Sequence, residues 1–280
     1  MCALIAFGQN SNRKKKAEAQ SSPSPASGPT WEDLESVKFQ KGPATGDLGT
    51  TAKVKVPEGF VFAGGKDTRT IMEAMQNPTS GRELGFLAPA DDSWFVVFEF
   101  SPVGYVKDDE KDSLDADAIL QSIKDGTADS NEERTRRGWP TLTILGWETS
   151  PRYNESTHNL EWAVKLESEG KPGVNHNTRL LGRGGVMEVT LVTDPSTLGD
   201  TIPKFNTLVS GFEFAQGQKY SEFRPGDKMA AYGLTGLIAG GGVAVAAKSG
   251  LFKWLWKLIV AAVVGVGAIA KKIFGREKTA

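Results

Sequence analysis

Apolar and polar residues alternate along this chain in short runs that predict a mixed domain between Trp31 and about Phe214. Runs with a period of two, rich in β-branched and aromatic residues, are typical of strands. They predict strands at Thr51–Val56, Trp94–Phe100, Leu142–Glu148, Leu160–Leu166, Asn177–Gly182, Val186–Thr193 and Gly211–Phe214. Glycine and proline separate most of these runs, which favours antiparallel pairing between neighbours.

Helix signals lie between the predicted strands. They predict helices at Thr68–Gln76, Leu114–Lys124 and from Asp194 to about Val209. Ser113 is placed to cap the second helix and Gly126 to close it. Strands and helices in this order predict an α+β fold, in which helices pack on an antiparallel sheet.

The end of the chain has a different pattern, because Met229–Ala247 holds nineteen residues without a charge. A helix of that length is about 28 Å long, close to the thickness of a bilayer core. Residues 228–247 are therefore predicted to form a transmembrane helix. Gly236 and Gly240 form one GxxxG motif in it, which favours close contact between two such helices and a homo-oligomer.

A second apolar run occupies residues 251–271, and residues 272–280 form a basic tail. The second run begins with Lys253, Trp254, Trp256 and Lys257, residue types that anchor helices at the headgroup layer. Two topologies stay open. Either the two helices form a transmembrane hairpin, or the first spans and the second lies in the interface as an amphipathic helix.

The balance of acidic and basic residues also changes at about Lys228. From Lys228 onward there are eight basic residues and one acid, whereas residues 1–227 hold 25 basic and 33 acidic residues. The acidic body argues against binding to nucleic acid, and the basic apolar tail favours a bilayer with anionic headgroups. By the positive-inside rule, the lysines from Lys248 to Lys257 lie in the cytoplasm. The domain is then expected in the periplasm, tethered to the inner membrane.

The first thirty residues are expected to be disordered, because Ala17–Pro29 is a linker rich in serine and proline. In residues 1–16 the apolar part precedes the basic part, which is the reverse of a secretory signal. Export is therefore inferred from the tail. Cys2 is the single cysteine, so the chain has no internal disulfide.

Several long segments, taken together, carry a resemblance to a known family. They are GYVKDDEKDS from Gly104, NEERTRRGWP from Asn131, GWETSPRYNESTHNLEWAV from Gly146, NHNTRLLGRGGVMEVTLVT from Asn175 and YSEFRPGDKMAAYGL from Tyr220. From about residue 40 to 275 the chain resembles the bacterial membrane-anchored proteins grouped as DUF2167. The resemblance implies an exported domain with C-terminal membrane helices and no known function. The strand order is also similar to the PsbP/Mog1-like sandwich, an analogy of fold alone.

Candidate chemistry is sparse. The acidic stretch Lys107–Asp117 lacks the glycine and the glutamate of a calcium-binding loop, and it is interpreted as the start of a helix. Asp108, Asp109 and Glu148 are the carboxylates proposed for a hydrolase. Two adjacent pairs, Trp147 with Glu148 and Glu161 with Trp162, mark the one place where we expect a small-molecule pocket.

Two other polar groups are interpreted as structural. His158 and His176 lack a third ligand to complete a metal set, so no metal and no cofactor is expected. Asn131–Arg137 alternates acids and bases and is interpreted as a solvated helix face with Glu–Arg pairs.

The sequence therefore predicts a membrane-anchored extracytoplasmic domain that binds an envelope protein or a small ligand and is not an enzyme. Its partners would be the lipid bilayer and that ligand. Two alternatives stay open: a carboxylate-dependent envelope hydrolase, and a protein that senses or remodels the bilayer through its tail.

Overall fold

The computed structural model describes residues 31–91 and 93–238. Its strands are β1 (Gln40–Lys41), β2 (Ala44–Leu48), β3 (Ala52–Val56), β4 (Phe60–Gly64), β5 (Glu83–Pro89), β6 (Trp94–Ser101), β7 (Thr143–Asn154), β8 (Asn159–Ser168), β9 (Lys171–Leu181), β10 (Val186–Thr193) and β11 (Phe212–Phe214). Its α-helices are α1 (Gly65–Ala74), α2 (Ala116–Arg136), α3 (Leu198–Ser210) and α4 (Leu234–Ile238). Short 3₁₀ segments lie at Trp31–Ser36, Pro195–Thr197 and Tyr220–Glu222.

The strands form two antiparallel sheets. The larger has eight strands in the order β1-β4-β5-β6-β10-β9-β8-β7, and the smaller has the order β11-β3-β2. At the centre of the large sheet, β6 and β10 pair along their whole length. Both strands are buried almost throughout, because layers cover both faces of the sheet. The predicted α+β class with an antiparallel sheet is confirmed.

Three layers result. On one face of the large sheet, the small sheet and α3 enclose an apolar cluster that includes Val54, Phe98, Val189 and Phe205. The opposite face is covered by α1 at one end and by α2 at the other. Leu234, Leu237 and Ile238 of α4 join the cluster under α2, so the last described residues pack on the domain.

A row of charged residues crosses the large sheet between α1 and α2. Glu83 is paired with Glu99, Glu99 with Glu188, and Glu188 with Arg179, on the adjacent strands β5, β6, β10 and β9. We call these four residues the charged row. All four are buried. Arg82 Nη1 lies 3.1 Å from Glu188 Oε1, and Arg179 Nη2 lies 3.3 Å from Glu188 Oε2.

The second helix is longer than predicted. Asp115, rather than Ser113, caps it by accepting a hydrogen bond from the Ala118 N–H, and Gly126 lies inside it. The segment Asn131–Arg137, which the sequence predicts to be a solvated helix face, is only partly exposed to solvent. Glu133 pairs with Arg136 and Arg137, but Arg134 is fully buried.

Of the predicted transmembrane segment, the structure describes residues 228–238. Met229 is paired with Tyr105 in a β-bridge, and the helical residues begin at Leu234. Gly236 is buried against the ring of Tyr232. No helix within the described ranges is long and apolar enough to cross a bilayer. Gly240, Lys253, Trp254, Trp256 and Lys257 lie outside those ranges.

Candidate functional site

A cleft opens at one end of the large sheet, where the β7–β8 turn faces α3, β11 and the 3₁₀ turn Tyr220–Glu222. Its volume is about 520 Å³. Its apolar lining comes from Leu180, Leu181, Val209, Phe212, Phe214 and Tyr220. Its polar lining includes Asn154, His158, Asn159, Glu161, Asn206, Ser210 and Lys219.

His158 ends the turn that joins β7 to β8, and the turn determines its backbone. Its φ is +53°, in the left-handed region that glycine adopts most easily. Histidine tolerates this region better than most residues, but the conformation still costs about 1 kcal/mol or more. A residue kept there at such a cost is a candidate for function, and the side chain of His158 lines the cleft.

A chain of hydrogen bonds fixes the imidazole of His158. The hydroxyl of Tyr153 donates to Asp108 Oδ2 at 2.9 Å, and its oxygen lies 3.1 Å from His158 Nδ1. Burial, followed by the bond to Asp108, raises the pKa of Tyr153 above its ordinary value, so the phenol keeps its proton. Because that single proton is given to Asp108, His158 Nδ1 must carry a hydrogen and donate it to Tyr153. Nε2 of the neutral imidazole is then an acceptor.

Stacked rings support the same side chain from behind. His158 lies against Tyr220 with ring centroids 4.6 Å apart, and Tyr220 stacks on Tyr105 at 4.4 Å. The Tyr220 hydroxyl donates to the carbonyl of Val106 at 2.9 Å. Burial raises the pKa of Tyr220, which also stays protonated. The imidazole therefore has little freedom to change its orientation.

The charges that line the cleft are paired. Glu161 Oε2 lies 3.0 Å from Arg152 Nη2, and Lys219 Nζ lies 3.3 Å from Glu213 Oε1. Both pairs are partly exposed, where ion pairs contribute little, but each pair is neutral as a whole. The lining therefore offers no net charge to attract an ionic ligand.

The structure brings two of the proposed site residues to this cleft. Glu161 lines it, and Asp108 supports His158 through Tyr153. Asp109 lines a second cleft of about 480 Å³, beside Tyr232. Glu148 lies 3.7 Å from Lys165, on the surface of β7 and β8.

The two tryptophans of the expected pocket lie elsewhere. Trp162 is 2% exposed, and the guanidinium of Arg179 covers its ring at 4.7 Å. Trp147 Nε1 donates to the Ala116 carbonyl at the start of α2. Trp162 does not line the cleft because it and Glu161 are adjacent in a regular strand, so their side chains point to opposite faces of the sheet.

His158, Tyr153 and Tyr220 are the site residues that the sequence did not single out as a group. In the sequence, His158 and His176 are interpreted as structural, because no third metal ligand accompanies them. His176 packs against Phe205 of α3, with ring centroids 5.3 Å apart. Burial lowers its pKa, which favours the neutral ring.

Comparison with known proteins agrees with the sequence resemblance. The family model described as "Protein of unknown function (DUF2167)" matches residues 40–270. No curated protein matches the sequence. Among solved structures, the solution structure of cyanobacterial PsbP (CyanoP) from Synechocystis sp. PCC 6803 is similar, at 12% identity and a TM-score of 0.37. The match covers 64% of this chain and 94% of that one. A similarity at this level says nothing about ligands or activity.

Proposed function

Because this chain belongs to the DUF2167 family, whose description assigns no function, we propose a function from its own geometry. The domain binds a small uncharged ligand in the cleft beside His158, and the tail tethers it to the bacterial inner membrane. The observation that carries this proposal is the fixed imidazole of His158, supported by Tyr153 and Asp108 and lining the cleft.

The cleft has the properties of a ligand site. Its volume of about 520 Å³ falls within the range of roughly 300–1,000 Å³ that is usual for small-molecule sites. Apolar side chains line one part, and a few polar groups are placed to set the orientation of a ligand. A site that is already organised binds without a large entropic cost of ordering its own side chains.

Binding is favoured over hydrolysis by the positions of the three proposed carboxylates. Asp108 contacts Tyr153, Asp109 lines the second cleft, and Glu148 is paired with Lys165. A carboxylate-dependent hydrolase needs an acid and a base that reach the same substrate atom. These three residues, in three different surroundings, do not supply such a pair.

The tether rests on the apolar and basic residues of the tail. The periplasmic location rests on the lysines between its two apolar runs, and it requires the chain to cross the bilayer before Lys248. A short connection between domain and bilayer would keep the cleft close to the membrane surface. Molecules bound there would be those of the envelope. A homo-oligomer through the GxxxG motif is not part of this proposal, because Gly236 is buried against Tyr232 within the domain.

Ligand binding is tested with the ¹⁵N-labelled full chain in detergent micelles, by adding mixtures of small neutral and charged organic molecules and following amide shifts. We expect neutral molecules to move the signals of residues that line the cleft, such as Asn159 and Ser210. Ser210→Trp, which fills the cleft, should abolish these shifts. Lys204→Trp, on the same helix outside the cleft, should leave them. Shifts that map elsewhere, or that survive Ser210→Trp, would overturn the proposal.

The tether and its orientation are tested in cells with a maleimide that does not cross membranes. In a Cys2→Ser background, a cysteine replacing the exposed Ser113 should be labelled from the periplasm. A cysteine replacing Ser249, between the two apolar runs, should be protected until the inner membrane is opened. The reverse pattern would place the domain in the cytoplasm, and recovery of the unlabelled protein in the soluble fraction would remove the tether.

A further inference from the structure

The cleft carries more hydrogen-bonding groups than its own structure uses. Asn159 and Asn206 line it, and their side chains make no hydrogen bond within the part of the chain that the structure describes. Asn154 Oδ1 accepts from the backbone and hydroxyl of Ser156, which leaves its amide hydrogens for another acceptor. The amides of Asn159 and Asn206 present both donors and an acceptor, and Asn154 presents donors, so the lining suits a ligand with several groups that donate and accept.

His158 adds a further acceptor. Its Nδ1–H is directed to Tyr153, and Nε2 has no hydrogen-bond partner among the described residues. A ligand group facing Nε2 must therefore donate a hydrogen. A hydroxyl satisfies this requirement, whereas a carboxylate or an ether does not.

Two further properties of the lining, its aromatic rings and its paired charges, limit the class of ligand that the cleft can bind. Phe212 and Phe214 are half-buried, with their rings 4.9 Å apart in an edge-to-face arrangement, and both line the cleft. The electron-rich faces of such rings attract the slightly positive C–H groups of a polar molecule. Glu161 and Lys219 are each paired with an opposite charge, so the lining has no net charge that would attract an ionic ligand.

We infer that the ligand is a short neutral saccharide, one hydroxyl of which donates a hydrogen bond to Nε2 of His158. This inference rests on the proposed function and specifies its ligand. A neutral saccharide combines many hydroxyls with apolar C–H faces. Tyr153 and Asp108 are positioning residues, because they act on the ligand only by holding the imidazole in the tautomer that accepts at Nε2.

The tautomer is measured without a ligand, from the ring ¹⁵N and ¹³C shifts of His158 in the full chain. We expect the neutral ring to carry its hydrogen on Nδ1. Tyr153→Phe removes the acceptor of that hydrogen and should raise the share of the other tautomer. Observation of hydrogen on Nε2 in the unaltered protein would overturn the inference, even if the cleft binds ligands.

Binding is measured by calorimetry and amide shifts, with N,N′-diacetylchitobiose and maltose as neutral probes and digalacturonate as the anionic one. We expect a neutral probe to move cleft signals and digalacturonate to leave them unchanged. His158→Gly suits the left-handed backbone and so preserves the turn. It should weaken the neutral probe about tenfold, the value of one hydrogen bond, and Tyr153→Phe should weaken it by less.

The outcomes separate the two proposals. If the general mixtures of small molecules move cleft signals but neither saccharide does, the saccharide assignment is wrong and the ligand-binding function stands. If no molecule of either set reaches the cleft, both proposals fail. Equal affinity of the unaltered protein and His158→Gly for a saccharide would rule out the hydrogen bond to Nε2.

Discussion

Replacing Glu99 by glutamine should stabilise the protein at alkaline pH, because the structure holds this carboxyl group in its protonated form. Glu99 is 3% exposed and sits between Glu83 and Glu188 in the charged row. Ser80 Oγ lies 2.6 Å from Glu99 Oε1 and 3.1 Å from Glu83 Oε1. One hydroxyl hydrogen cannot serve both carboxylates, so one of them must bring its own proton.

The size of the change in stability follows from the difference between the pKa of Glu99 in the folded and in the unfolded protein. Burial, followed by the charge of Glu188, raises the pKa of Glu99 from 4.5 to about 8. The folded protein therefore holds a proton that the unfolded chain releases between those two values. Stability from this group is fully present below pH 4.5 and is lost as the pH rises through about 8. A difference of this size corresponds to at most about 5 kcal/mol of unfolding free energy.

The assay is urea unfolding of the full chain in detergent, followed by tryptophan fluorescence from pH about 5 to about 9. The unaltered protein should lose stability across this range. Glu99→Gln, which keeps the size and stays neutral, should lose much less and should be the more stable protein at the alkaline end. Parallel pH curves for the two proteins would refute the reasoning, as would a less stable Glu99→Gln at alkaline pH.

Glu188→Gln is the matched control in the same row. Burial opposes ionisation of Glu188, but the charges of Arg179 and Arg82 outweigh burial and lower its pKa. Removing that charge takes away the ion-pair partner that Arg82 and Arg179 share. We expect a loss of about 3–5 kcal/mol. The same chemical change on adjacent strands should therefore have opposite signs.

Three further substitutions test the packing. Arg134→Ala should lower the free energy of urea unfolding by about 2–4 kcal/mol, because it removes the buried guanidinium that donates to Asn77 Oδ1 at 2.7 Å. Arg136 is exposed on the same helix, so the control Arg136→Ala should change stability by less than about 0.5 kcal/mol. Tyr220→Phe should cost about 1 kcal/mol by the same assay, because the Val106 carbonyl loses its donor. Gly185→Ala should lower the thermal midpoint by several degrees (on the order of 5 °C), because its Cβ would lie 2.1 Å from the Ser101 carbonyl oxygen.

The strands that the sequence predicts well are the central ones. Val186–Thr193 has the predicted bounds, because five of its eight residues are β-branched and Gly185 and Pro195 flank it. The strands β1, β2, β4 and β5 were not predicted. β2, with the sequence ATGDL, and β5, with ELGFLAP, contain glycine or proline and few β-branched residues. Their pairing with neighbours, rather than local preference, makes them strands.

The candidate site was predictable only in part. Asp108 was identified from its acidic surroundings, and it does support the cleft, but its role depends on Tyr153, forty-five positions further along the chain. No spacing rule connects the two. His158 lies at the end of a turn between two predicted strands, but its left-handed backbone is a property of the folded turn and has no signal in the sequence. The charged row gives a clearer signal in the sequence, because Glu99 interrupts the apolar run WFVVFEF.

As the tail shows, an uncharged run of residues predicts burial, but it does not predict whether protein or lipid surrounds those residues. Leu234, Leu237 and Ile238 lie inside the run from which a transmembrane helix was predicted, and they pack in the same apolar cluster as Ile119 and Ile123 of α2. The helix begins at Leu234 because the preceding residues are engaged with the domain: the Ala230 N–H donates to the Tyr105 carbonyl. Glu110 then accepts from the Thr235 N–H in the first turn, where helices favour a carboxylate. Protein core and bilayer select the same side chains, so the boundary between them is set by such polar contacts and not by hydropathy.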